Sequence, residues 1–175
     1  AETLRTDGRR VMTVSCDISR VDEVERAASE IVDGMETVDI LINDAGIPAP
    51  RSFSGTEFED WDRVIGVNLS GPFYMTRALW DALIESGAGY VINISGTMGL
   101  RGGSNPAYCA AKFGLTGLTR AIAASGSKDN LRATVLYPGS MDTGWRGSPI
   151  GEMSADETMD PEEVEFIQGW EVERF

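Results

Sequence analysis

Tyr90-Val-Ile-Asn-Ile-Ser95-Gly96 leads through a glycine-rich linker into Asn105-Pro106-Ala-Tyr108-Cys-Ala-Ala-Lys112-Phe-Gly-Leu115. The first five residues are rich in Val and Ile and end at a small-residue turn, the pattern of a short buried strand. Pro106 suits the first turn of a helix, and Ala111, Leu115, Leu118 and Ile122 then recur on one face. Tyr108 and Lys112 stand at i and i+4, so they share a face of that helix. An ammonium beside a phenol favours the phenolate and draws its pKa down from about 10 toward neutrality. Ser95 closes the strand 13 residues before Tyr108, so a returning loop can bring its hydroxyl to the helix's first turn. The plainer alternative is a solvated lysine beside a half-buried tyrosine.

The same reading extends outward. Residues 11–14, 39–42 and 133–137 are further short apolar runs bounded by Gly, Asp, Asn or Pro and predict strands. Between the first two, Ser19 is placed to cap a helix with Val24, Ala27, Ala28 and Ile31 on its inner face. Thr56 with Glu59 has the capping-box spacing and opens a helical region to Ile84, which Gly71-Pro72 should kink or restart. Strands alternating with helices predict an α/β fold, a parallel sheet with helices on its faces, whose ligands sit beyond the strands' carboxyl ends. The polar signals fall there: Asp17-Ile18, Asn43-Asp44-Ala45-Gly46, Ser95-Gly96 and Pro138-Gly139. Residues 1–175 read as a single domain with its core in 11–143. Residues 144–160 read as a loop, Asp160-Pro161 opens a short closing helix, and 169–175 holds no evident strand.

Composition narrows the function. With 28 acidic against 15 basic side chains the net charge is -13, which repels phosphate backbones and anionic membranes. Nucleic-acid and membrane partners are therefore not expected, and no run reaches the ~20 apolar residues of a membrane span. Cys16 and Cys109 form neither a disulfide framework nor a metal spacing, so no metal is expected and a reducing cytoplasm is the default. No histidine is present, which removes the Ser-His-Asp triad and leaves proton transfer to Tyr, Lys, Asp, Glu or Cys.

Asn43-Asp-Ala-Gly46, Asn68 within Val67-Asn68-Leu69, Ser95 with Tyr108-Cys-Ala-Ala-Lys112, and Pro138-Gly139 with Thr143 resemble the short-chain dehydrogenase/reductase family in the family's own order. The resemblance implies a Rossmann-like three-layer fold and NAD or NADP as cofactor. It further implies a small-molecule carbonyl or alcohol substrate and a homodimer or homotetramer built on helices around 73–83 and 111–122. It gives Tyr108 the role of general acid/base and Lys112 that of lowering its pKa while binding the nicotinamide ribose. Ser95 would orient the substrate carbonyl and Asn68 would hold a relay water. Asp17 and Ile18 would contact the adenine; Asn43, Ala45, Gly46, Pro138 and Gly139 would line the cofactor cleft; Thr143 would bind the carboxamide. Taken singly, Asp17 also reads as a helix-preceding turn residue, Asn68 as a kink-stabilising amide and Thr143 as a capping hydroxyl.

Departures from the family pattern are Asp44 and Gly96, where it has Asn and Ser. Family members also begin with a strand and a Thr-Gly-x-x-x-Gly-x-Gly turn that holds the pyrophosphate, whereas this sequence opens in what reads as the helix after it. The expectation is a chain incomplete relative to the family at the N-terminus, and at the C-terminus as well. Residues 11–14 should then pair directly with 39–42. Gly96-Thr-Met-Gly99-Leu-Arg-Gly102-Gly103 has the wrong spacing to replace the missing turn. A non-catalytic fragment serving oligomerisation or binding stands as the alternative function.

Only Lys112 and Lys128 among the 15 basic residues are lysines. Acid excess with few lysines suits a protein kept soluble in concentrated salt, where screening removes self-repulsion; an ordinary acidic protein is the alternative. Raising KCl from about 0.1 M to about 3 M is expected to raise the Tm, and a lower Tm at molar salt would exclude salt adaptation.

Overall fold

The computed structural model describes residues 9–35, 37–49 and 52–139, together with the backbone of 171–174. Chain order is α1 (Val21–Gly34), β1 (Ile40–Asn43), α2 (Phe58–Ile65), a π-helical turn (Gly66–Ser70), α3 (Gly71–Ala78), α4 (Trp80–Glu85), β2 (Tyr90–Ile94), α5 (Met98–Arg101), α6 (Pro106–Gly126), a 3₁₀ turn (Ser127–Asp129), β3 (Arg132–Tyr137) and β4 (Glu171–Arg174). The sheet runs β1-β2-β3-β4. Its first three strands are parallel, with Asn43 beside Asn93 and Val91 beside Ala133.

Alternation along the strands decides what lies inside. Leu41, Asn43, Val91, Asn93, Ala133 and Val135 share one face. Against it pack the helices, in a core that gathers Ala28, Leu79, Leu83, Val91, Ile122, Ala123, Leu131 and Ala133. The opposite face carries Ile40 and Ile42, 58% and 57% exposed. It also carries Tyr90, whose hydroxyl meets Thr134 Oγ1 at 2.6 Å and whose ring lies under the Arg132 guanidinium. The Rossmann-like parallel sheet is therefore present and incomplete, and the described helices that pack on it build one of its two helical layers.

Three strands and the faces of α1 and α6 lie where the sequence places them, but residues 11–14 do not join the sheet. They lie against α1 instead: Arg10 Nη2 donates to the Gly34 carbonyl at 2.6 Å, Arg26 Nη2 to the Ser15 carbonyl at 2.6 Å, and Met12 packs on Gly34. The far end differs too. β4 pairs antiparallel with β3, Leu136 opposite Val172, where no strand was expected. Three of its four residues are charged, a weak strand signal but a usual composition for an edge. The expected loop 144–160 and the closing helix lie outside the described residues.

Helix starts follow other chemistry than the caps expected. Asp17 accepts from Ser19 N and Oγ, and its own N–H donates to Glu23 Oε2 at 2.8 Å, so Asp17 rather than Ser19 organises the entry to α1. Thr56 Oγ1 donates back to Ser52 O instead of closing a box with Glu59. Gly71 does restart the helical region, directly after the π-turn.

A chain of buried amides and hydroxyls joins sheet to helices. Asn43 Nδ2 donates to Asn93 Oδ1 at 2.8 Å and to Thr76 Oγ1 at 3.3 Å; Asn93 Nδ2 donates to Thr119 Oγ1 at 2.8 Å. Thr76 and Thr119 pass their protons to the Pro72 and Leu115 carbonyls. Deleting one partner leaves the next unsatisfied, which costs about 1–3 kcal/mol. Asn93→Leu and Thr119→Val are each expected to lower stability by that amount, and the double variant by at least ~1 kcal/mol less than the sum. Additive losses in urea unfolding would show the pair to be uncoupled.

Candidate active site

The carboxyl ends of β1 and β2 and the first two turns of α6 converge. Ser95 follows β2 directly, is 4% exposed, and donates from Oγ to the Lys112 carbonyl at 3.2 Å. Its own N–H continues the ladder to Leu136 O at 2.8 Å. Lys112 is 5% exposed. Its Nζ donates to the Ile94 carbonyl at 2.7 Å and lies 5.5 Å from the centroid of the Tyr108 ring. Ser95, Tyr108 and Lys112 are thus brought together around one turn of α6 at the end of β2.

Burial pushes the Lys112 ammonium down to about 8, while the Asp44 carboxylate works in the opposite direction. Both thiols move the other way: burial raises Cys16 and Cys109 above the usual thiol value, which argues against either as the acid or base near neutrality.

Asn68 sits in the π-turn, 1% exposed. Its Oδ1 accepts from Ile47 N at 2.8 Å and its Nδ2 donates to Ile47 O at 2.9 Å. The side chain is thereby committed to the segment leaving β1. Asn43 is also turned inward, into the amide chain between sheet and helices. Ala45 is exposed and Gly46 half-buried at the strand end, as are Pro138 and Gly139 after β3. Asp17 is exposed, and its bonds to Ser19 hold its carboxyl below the usual range. Ile18 packs on Gly71, where an added methyl would meet Ile18 Cδ1 at 2.7 Å. Asp17 and Ile18 thus have structural work at the entry to α1. Thr143 lies outside the described residues.

The glycine-rich linker has a packing explanation. A methyl at Gly99 would overlap Ser95 Oγ and lie 3.0 Å from the Lys112 carbonyl, and Gly102 has φ of 82°. The first lets α5 press against Ser95; the second turns the chain toward α6. Among the described residues no group of three or more metal-ligating side chains gathers, and no helix is long and apolar enough to cross a membrane. One residue that the sequence reading passed over is Asn105, the N-cap of α6. An Asn immediately before a first-turn Pro is the signal that could have found it.

Residues 1–150 match the family model described as short chain dehydrogenase. The chain is 37% identical over 138 residues to an acetoacetyl-CoA reductase of Allochromatium vinosum, covering 78% of this chain and 56% of the relative. It is 30% identical to a 3-oxoacyl-[acyl-carrier-protein] reductase of Synechocystis, with the same shares covered. Among solved structures, a metagenomic short-chain oxidoreductase in complex with NADP superposes with a TM-score of 0.74 at 29% identity, over 79% of this chain and 64% of that one. A putative short-chain dehydrogenase/reductase from Burkholderia xenovorans gives 0.76, also at 29%, over 84% and 59%. The chain belongs to the short-chain dehydrogenase family, and it spans about half the length of the curated relatives it matches.

A lysine whose folded pKa lies below its unfolded value of about 10.4 binds fewer protons folded than unfolded between about pH 8 and 10.4, so stability rises with pH across that window. Lys112→Met removes the buried charge. Its Tm is expected to equal or exceed that of the parent at pH 7, and the difference should shrink toward pH 10. A variant destabilised at pH 7 by more than about 5 °C would show that the Ile94 bond outweighs the desolvation.

Proposed function

We propose that this chain carries the proton-transfer machinery of an NAD(P)-dependent reductase acting on a carbonyl, or the reverse oxidation of a secondary alcohol. The observation that supports it is the buried Lys112 ammonium, fixed by Ile94 O and held 5.5 Å from the Tyr108 ring. An ammonium beside the Tyr108 ring suits its hydroxyl to the role of proton donor. Tyr108 gives the proton to the carbonyl oxygen, and Ser95 Oγ, freed from Lys112 O by a small rotation, hydrogen-bonds the same oxygen. Asn68 contributes through its place in the π-turn, since its amide is occupied by Ile47; a relay water would be held by backbone there.

The residues present fit one half of a nicotinamide dinucleotide. Lys112 and Tyr108 present an ammonium and a hydroxyl for a ribose, and Asn43–Gly46 and Pro138-Gly139 border the strand ends above which it would lie. When bound, the cofactor supplies or accepts a hydride. The second reading is a binding or oligomerisation module without turnover. Relatives named as reductases of acetoacetyl-CoA and of 3-oxoacyl-[acyl-carrier-protein] favour a 3-oxoacyl group as the carbonyl to try first. A homo-oligomer is supported by Phe73 and Phe113, both about half exposed on α3 and α6.

Titrating NADH and NADPH against the fluorescence of the four Trp residues in high salt is expected to show saturable binding of at least one. No saturation by either would falsify the reductase reading for this chain and favour the module. If binding is seen, Tyr108→Phe should abolish turnover, at least ~100-fold, with cofactor affinity kept within about threefold. Turnover should also fall as pH rises through about 8, where Lys112 loses its proton.

A further inference from the structure

The segment leaving β1, residues 44–49, is fastened at two points by buried asparagines. Asn68 holds Ile47 by both its N–H and its carbonyl. The second fastening is Asn105, 5% exposed. Its Nδ2 donates to the Ala49 carbonyl at 2.8 Å, and its Oδ1 accepts from the backbone N–H of Tyr108 at 3.0 Å. One planar amide therefore bridges the loop beside the strand ends and the main chain of the residue assigned the proton transfer. Its two halves are chemically distinct, an acceptor for the helix and a donor for the loop, so they can be removed separately.

We propose that Asn105 is a positioning residue that locks the first turn of α6, and with it the Tyr108 ring, to the segment leaving β1; the proposal rests on the reductase reading above. The cap by itself fixes only the start of the helix. The bond to Ala49 adds what a cap does not, a fixed distance between Tyr108 and the loop that borders the cofactor's place. Because Asn68 grips the same six-residue stretch, the loop is a strut between the π-turn and α6. A proton donor displaced by a fraction of an ångström loses rate while the substrate still binds.

Two variants separate the halves. Asn105→Asp keeps an oxygen for the Tyr108 N–H but loses the donor to Ala49, and Asn105→Ala loses both. Amide exchange by NMR at Ile47 should speed at least about threefold in both variants, and at Tyr108 in Asn105→Ala alone. Val91 and Leu115 should keep their protection, as a check that the core is intact. In carbonyl reduction kcat should fall about tenfold or more in both, with KM for the carbonyl within about twofold. Unchanged exchange at Ile47 in Asn105→Asp overturns the proposal, and so does faster exchange with kcat retained. Should Asn105→Ala fail to fold, Asn105→Asp alone decides. If the unsubstituted chain shows no turnover with either cofactor, the reductase reading is what fails, and exchange at Ile47 and Tyr108 still decides whether Asn105 ties the loop to the helix.

Discussion

The ammonium of Lys112 is buried where three parts of the molecule meet. Its hydrogen bond to the Ile94 carbonyl sets the end of β2 against the second turn of α6. Its charge faces the Tyr108 ring, and the backbone carbonyl of the same residue receives the Ser95 hydroxyl. Taking a lysine out of water opposes folding, and burial here is the larger effect, since Asp44 only partly restores the charged form. Such a group persists only if its surroundings over-determine it. Gly99, small enough to let α5 close over Ser95, is one of those surroundings.

The remaining polar interior serves the same end. Asn43, Asn93, Thr76 and Thr119 knit β1 and β2 to α3 and α6 at fixed register. Asn68 and Asn105 tie the loop between them. Among the described residues every fully buried side-chain polar atom is satisfied, so the network rigidifies rather than weakens the layer. The site is positioned by amides, each with one direction to donate and one to accept, more than by apolar packing alone.

How much of this could be read from the sequence depended on range. β2, β3 and α6 were legible because their apolar periods are strong and local, and Tyr108 and Lys112 followed from i, i+4 geometry. Residues 11–14 have equally good local character, yet whether they pair depends on a neighbour strand that no local pattern reports. β4 was hidden for the opposite reason, being charged and carried by backbone pairing with β3. Ser19 and Thr56 have the right chemistry for caps, but Asp17 with Glu23, and Ser52, offered competing bonds at similar spacing. Asn68 stood out in the sequence, while the partner of its amide was not legible there, because Ile47 is 21 residues away.

The sheet face bearing Ile40 and Ile42 sets two demands on the solvent against each other. Two half-exposed isoleucines on a strand whose outer edge is unpaired among the described residues would let molecules stack face to face, and at low ionic strength a charge of -13 holds copies apart. Salt that relieves repulsion within the fold relieves it between molecules as well. Colloidal behaviour and conformational stability should therefore respond to ionic strength in opposite senses, with the most useful working range lying between the two.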